Sequence, residues 1–263
     1  MGSATRQALA GSRAALAELG RADLKVAEDL LAAERTISGS SQLRAALTDT
    51  EADAAQKRAL VGAVFGSRIA PDAVTLLVGA SSSRWSDDQD FLAGIEELAY
   101  RAAAESAPEG VDIDAELFAF ERAVASDSEL ELALGSKLSA PEAKTKIVDR
   151  LLDGKATPQT IAIVRHLVQE PRGRRIGEML RHAASVIANQ RGFDIATVTT
   201  AVPLSDAQLS RLEQGLAQDG RRIRFDTIVD PSVLGGVRVQ IGDDVIDGSV
   251  ASRLSSLRQK LAG

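Results

Sequence analysis

Shifting this chain by 87 positions lays one stretch onto another. Leu43 falls on Leu130, Leu47 on Leu134, Lys57 on Lys144, Val61 on Val148 and Pro71 on Pro158, and Glu34-Arg35 falls on Glu121-Arg122. Over residues 30 to 77 this register gives 11 identities in 48 positions without a gap, and many other pairs are conservative, such as Leu60 with Ile147 and Val74 with Ile161. Shared alanine-rich composition would not align the lysine, the proline and the apolar spacing together. A duplicated supersecondary unit therefore constrains the fold before any other feature does.

Each copy reads as a series of short amphipathic helices. Leu60, Val61, Val64 and Phe65 recur at helical spacing before Gly66, and Ile147, Val148, Leu151 and Leu152 do so before Asp153-Gly154. A glycine there fits a left-handed C-cap. Pro71 and Pro158 then stand where a first helical turn tolerates a missing N–H. Further helices are expected over residues 88 to 106 and 174 to 191. The N-terminal helix, residues 4 to 19, has the last helix of the first copy as its shifted counterpart, so the two units are expected to share that helix. The expected organisation is a first helical copy at 1–107, a second at 108–191 and a different module at 192–263.

After Arg191-Gly192 the period changes from helical to alternating. FDIATVTTAV (193–202) is β-branched and suits a strand; Ser205 and Gln208 form a capping-box pattern ahead of Leu209, Leu212 and Leu216. RRIRFDTIV (221–229) and VRVQI (237–241) alternate again, and Val250, Leu254, Leu257 and Leu261 mark a closing helix with an apolar stripe. The predicted fold class is α+β: an all-helical bundle in two tandem copies followed by a small α/β module.

The stretch DPSVLGGVRVQIGDDVIDGS (230–249) accounts for its own special residues. Asp230-Pro231 opens a turn. Gly235-Gly236 permits positive φ or close backbone approach before a strand whose Val237, Val239 and Ile241 share one face. Gly242-Asp243-Asp244 reads as a tight reversal, and Asp247-Gly248-Ser249 ends the strand with polar caps for the closing helix. None of these residues is left over for chemistry.

Other classes are weakened one by one. LLDGKAT (151–157) has Asp149 where a phosphate loop needs its first glycine and Ala156 where it needs Ser or Thr. His166 and His182 are the only histidines, no H-E-x-x-H exists, and two isolated helical histidines read as surface or core residues and not as zinc ligands. Asp243-Asp244, and Asp112 with Asp114, lack the glycine and terminal glutamate of a calcium loop and read as solvated turn or helix-start carboxylates. No serine lies in a G-x-S-x-G pattern. There are no cysteines, so disulfides and thiolate metal sites are excluded. The longest charge-free stretches, such as Ala73 to Ser83, are about half the ~20 residues a membrane helix needs, and no export signal is visible. No cofactor or metal is expected.

The segment DPSVLGGVRVQIGDDVIDGSVASRL resembles the C-terminal signature of the delta subunit of bacterial F-type ATP synthases, the relatives of the mitochondrial oligomycin-sensitivity-conferring protein. The signature is matched at Asp230, Gly235, Gly236, Asp247, Gly248, Ser249 and Leu254. Upstream, SQLRAAL and EADAAQKRALVGAVFG, with SELELAL and APEAKTKIVDRLLDG in the second copy, resemble the family's helical domain. The extra length corresponds to a duplicated helical domain of the kind found in actinobacterial members, and the N-terminal helix lacks the tyrosine usual near the family's start. The resemblance implies a stator part and not an enzyme. Its helical domain would grip N-terminal segments of alpha subunits, and its C-terminal domain would hold a b-type stalk, resisting rotor torque so that proton flow is coupled to ATP synthesis. It also implies a place peripheral to the cell membrane on its cytoplasmic side, through the complex and without insertion.

Amphipathic helices bind by laying apolar anchors into grooves, which suits a helical bundle for the first contact. Leu257 and Leu261, with Leu254, are candidates for the second, or the stripe packs on the module's own sheet. The runner-up reading is a stand-alone helical adaptor that borrowed the C-terminal module and binds an amphipathic helix of another protein, and a third is an RNA-binding protein using the arginines of the second copy. Charge adds one feature: residues 1 to 110 carry 11 basic and 16 acidic side chains, whereas 111 to 192 carry 12 of each, with Arg172, Arg174, Arg175, Arg181 and Arg191 gathered near the end. These arginines are expected on a solvated face. A net charge of −6 and the absence of interleaved aromatics disfavour nucleic acid. Trp85, whose counterpart is Arg172, is expected to be partly core.

Overall fold

Local capping chemistry sets the helix bounds. Asp23, Ser40 and Asp87 accept the backbone N–H of Val26, Leu43 and Asp90, opening α2 (Leu24–Ser38), α3 (Ser41–Thr48) and α6 (Asp88–Ser106). Asp53 and Gln56 form a reciprocal capping box on α4 (Ala54–Phe65), and Pro71 begins α5 (Pro71–Ser82). With α1 (Ser3–Glu18) these elements form the first copy. The second copy comprises α7 (Ile113–Ala125), α8 (Ser128–Gly135), α9 (Pro141–Leu152), α10 (Pro158–Gln169) and α11 (Ile176–Gln190). This computed structural model describes residues 2–136, 138–216, 222–231, 233, 235–242 and 244–248.

The 87-residue register holds at the level of elements. The bounds of α3, α4 and α5 reappear 87 positions later as those of α8, α9 and α10. Displaced likewise, α1 falls on residues 90–105, inside α6. The last helix of the first copy therefore also stands as the first helix of the second.

The chain divides into two compact units, Met1–Ile187 and Ala188–Gly263. In the first, Leu16, Leu30, Ile37, Leu77, Phe91 and Ile95 are fully buried in one copy, and Ile113, Leu117, Val148, Ile163 and Val164 in the other. Among the described residues no helix is long and apolar enough to cross a membrane.

The second unit is a four-stranded sheet of order β2-β1-β3-β4. β1 (Asp194–Thr200) and β2 (Ile223–Val229) are parallel and joined through α12 (Asp206–Leu216). β3 (Val237–Ile241) runs antiparallel to β1, and β4 (Asp244–Asp247) antiparallel to β3. Ala196, Val198 and Val239 form its core, with Leu212 and Leu216 of α12 packed on them. Ser205 and Gln208 make the expected capping box: Gln208 N donates to Ser205 Oγ at 3.4 Å and Ser205 N to Gln208 Oε1 at 2.9 Å. The closing-helix residues Val250, Leu254, Leu257 and Leu261 lie outside the described residues.

Two expectations need correction. Gly154 adopts the left-handed conformation, with φ 64°, but Gly66 caps α4 with φ −54°. Glycine is needed at 66 for a different reason: a Cβ there would lie 2.5 Å from the Gly62 carbonyl oxygen. Asp114 is not a solvated carboxylate but is buried in the first turn of α7.

Candidate partner-binding surfaces

One open groove marks the first copy. It encloses about 740 Å³ and is lined by Ser3, Ala4, Gln7, Ala8 and Gly11 of α1 and by residues 83–86 after α5. The α1 residues recur every three or four positions, so a single helical face of small side chains forms the floor. Gly11 is exposed, with no atom within 4 Å of where its Cβ would be. Gly79, one turn before Ser83 on α5, is equally open. Trp85 closes one side. Its Nε1 donates to Ala80 O at 2.8 Å, its ring meets Phe91 at a centroid distance of 5.9 Å, and it lies against Gly94, where a Cβ would be 2.1 Å from the indole. Trp85 is thus partly buried, as expected, and also walls the groove.

A buried ionic cluster joins the two copies. Glu96 of α6 accepts Nη2 of Arg172 at 2.6 Å and Nη1 and Nη2 of Arg174 at 2.8 Å each. His166 of α10 is fully buried between Arg35 Nη1, 3.1 Å from its Nδ1, and Glu96 Oε1, 3.1 Å from its Nε2. A guanidinium only donates, so Nδ1 accepts and Nε2 carries the hydrogen that it gives to Glu96. Burial holds the His166 pKa below its ordinary value against the opposing pull of Glu96. The three donors more than offset the burial of Glu96, whose pKa lies far below the usual carboxylate range.

Glu34 of α2 is also fully buried, 3.6 Å from Arg172 Nε and 3.7 Å from His166 Nε2, and neither of its oxygens has a hydrogen-bond partner. Burial pushes its pKa up to about 8, with Arg172 opposing. Ser38 Oγ adds a bond to Glu170 at 2.8 Å across the same seam. Arg172 has φ 46°, the one non-glycine at positive φ among the described residues. For a residue with a Cβ that conformation costs about 1–2 kcal/mol, here offset by its charge-assisted bond to Glu96.

Arg172 and Arg174 therefore do not sit on a solvated face as expected; they are turned inward onto Glu96. Arg181 pairs with Glu121. His166 is a core residue. Sequence reasoning missed Glu34, Glu96 and His166 as a cluster, although the duplication carried a signal. At shifted positions Leu9 becomes Glu96, Gly79 becomes His166, Trp85 becomes Arg172 and Asp87 becomes Arg174. Where the copies change chemistry together, they meet.

In the second unit the family-motif residues build a turn and a strand start. Asp230 N donates to Thr200 O at 2.8 Å, and Asp230 O accepts Val233 N at 3.1 Å. Gly235 and Gly236 have φ 72° and 84°, the positive values anticipated. Asp247 pairs with Arg238 across the β3–β4 ladder, and Gly248 N donates to Val237 O at 2.9 Å. Ser249, Leu254, Leu257 and Leu261 lie outside the described residues.

Comparison with known proteins identifies the family. The sequence profile described as ATP synthase delta (OSCP) subunit matches residues 97–261. The ATP synthase subunit delta of Leifsonia xyli subsp. xyli is 57% identical over 264 residues, covering 100% of both chains. That of Streptomyces avermitilis is 40% identical, covering 98% of each chain, and that of Streptomyces griseus is 38% identical over 100% of each. A chain of the Toxoplasma gondii mitochondrial ATP synthase hexamer is similar at TM-score 0.44 and 20% identity, over 64% of this chain and 96% of that one.

Proposed function

Because this chain belongs to the ATP synthase delta (OSCP) subunit family and is a component of the synthase's peripheral stalk, we propose that it works there as a mechanical link without an active site of its own. Its helical unit grips N-terminal segments of alpha subunits on the catalytic head, and its C-terminal unit holds the end of a b-type stalk. The link resists rotor torque and so keeps proton flow coupled to ATP synthesis. The protein sits peripheral to the membrane, on the cytoplasmic side, through the complex.

The observation that carries this reading is the open groove on α1. Its floor of small side chains lets a partner helix approach closely, and its Trp85 wall supplies an apolar anchor, the pattern of helix-in-groove recognition. In the C-terminal unit, Val202, Val229, Val245 and Ile246 are exposed, which supports an apolar contact with a stalk helix. The family-motif residues Asp230, Gly235, Gly236, Asp247, Gly248, Ser249 and Leu254 serve in this reading as the frame of that unit, and Leu257 and Leu261 as candidate stalk contacts.

Purified catalytic head, with and without the alpha N-terminal segments, tests the first contact. The expected result is retention of the chain by the intact head and its loss from the trimmed one. A chain ending at residue 191 should keep the head and lose a soluble b-type stalk fragment. Equal binding to both heads, or stalk binding by the shortened chain, would overturn the assignment.

A further inference from the structure

Resting on the head contact proposed above, we infer that α2 of the first copy occupies, in the second copy, the seat that lies open in the first. The duplicated helical unit then offers a partner helix one seat, on α1, and not two. The profile match begins at residue 97, inside α6, and would point to the second copy as the gripping one; the packing points to the first.

The two seats can be compared position by position through the 87-residue shift. The groove floor of α1 corresponds to a face of α6. Exposed Gly11 becomes Leu98, 2% exposed, and half-buried Ala4 becomes fully buried Phe91, while Ala8, already buried at the edge of the groove, becomes the larger and fully buried Ile95. Exposed Gly79 of α5 becomes His166 of α10, also fully buried. What covers the second seat is the first copy itself. α2 packs on both α6 and α10 and bonds through Arg35 to His166 and through Ser38 to Glu170, and Trp85 lies on Gly94.

The second copy thus shows what such a seat accepts, because an amphipathic helix of this chain is lying in it. Among the described residues the equivalent face of α1 stays open at Ser3, Gln7 and Gly11, with Ala8 at its buried edge. Its occupant is accordingly a partner helix with small apolar anchors toward Ala4, Ala8 and Gly11, and with a carboxylate placed for the exposed Arg84 on the rim.

The full-length chain and a synthetic peptide of the alpha N-terminal segment from the same organism give the test, with stoichiometry read by calorimetry and native mass spectrometry. One peptide per chain is expected. Gly11→Trp and Gly79→Trp, each filling open space, should lower the affinity at least tenfold, whereas Gly62→Trp on the exposed face of α4 should leave it unchanged. Two peptides per wild-type chain, or one peptide bound at unchanged affinity by both groove variants, would overturn the single-seat inference while leaving the head contact standing. A wild-type chain that binds no peptide would overturn the head contact itself, and the inference with it.

Discussion

Glu34 sits where the two copies meet, and its ionisation is coupled to folding. It is faced by Glu96 from α6, His166 from α10 and Glu170, Arg172 and Arg174 from the turn after α10, with Arg35 next to it on α2. Burial is the largest influence and raises its pKa from 4.5 to about 8. The folded state therefore holds a proton that the unfolded state releases above pH ~4.5, and stability from this group falls as pH rises toward 8. Glu96 and His166 are shifted down and work in the opposite sense, losing stability as pH falls. Comparing wild type with Glu34→Gln isolates the first effect, since the other groups are common to both. Urea unfolding should show the variant gaining on wild type between pH 5 and pH 8 by roughly 2–4 kcal/mol. A difference independent of pH would mean that Glu34 is already ionised in the folded chain.

At the scale of elements, the duplication repeats a device that fastens one helix to the start of another. Ala70 precedes Pro71 and has no side chain able to cap α5, so Asp29, buried on α2, reaches over and accepts Ala70 N at 2.7 Å. Shifted by 87, Glu116 of α7 accepts Thr157 N at 2.9 Å and Thr157 Oγ1 at 2.8 Å, and also bonds Thr160 Oγ1. A carboxylate at a helix N-terminus satisfies an orphan N–H and complements the helix dipole. Asp29→Ala and Glu116→Ala should each lower stability by about 1–3 kcal/mol in denaturant titrations, and Asp29→Asn by less because an acceptor remains. Losses below about 0.5 kcal/mol in both alanine variants would show that solvent serves these N–H groups as well. The helices themselves were legible because their signals are local: Pro71, Pro158, the Ser205–Gln208 box and the apolar spacing lie within a few residues of the bounds they set. β4 was marked only by its ends, the reversal at Gly242 and the stop at Asp247-Gly248, because all four of its residues are exposed and no burial alternation runs through it; pairing with β3 makes it a strand.

For the whole molecule, the shared helix decides what can be separated. α6 closes the first copy against α1 and α2, yet it also bonds the second through Glu96 to His166, Arg172 and Arg174, and through Ser106 to Gln159 at 3.1 Å. None of this can be read locally. Glu96 and Arg172 are 76 residues apart, and each in isolation resembles an ordinary surface charge. The repeat period exposed the sharing of α6, while the inward turn of the arginines depended on tertiary burial. A boundary at 107/108 respects the sequence repeat but removes from the second copy the helix that stands where α1 stands in the first. Residues 1–107 contain a full set of six helices and are expected to unfold cooperatively on their own. Residues 108–191 lack their first helix, leaving His166 and the apolar faces of α7 and α10 without cover, and should give non-cooperative melting by circular dichroism. Extending that fragment back to residue 88 restores α6 and should restore a cooperative transition. If 108–191 instead melts sharply without α6, the second copy is a self-sufficient domain, and the ionic cluster joins two finished bodies.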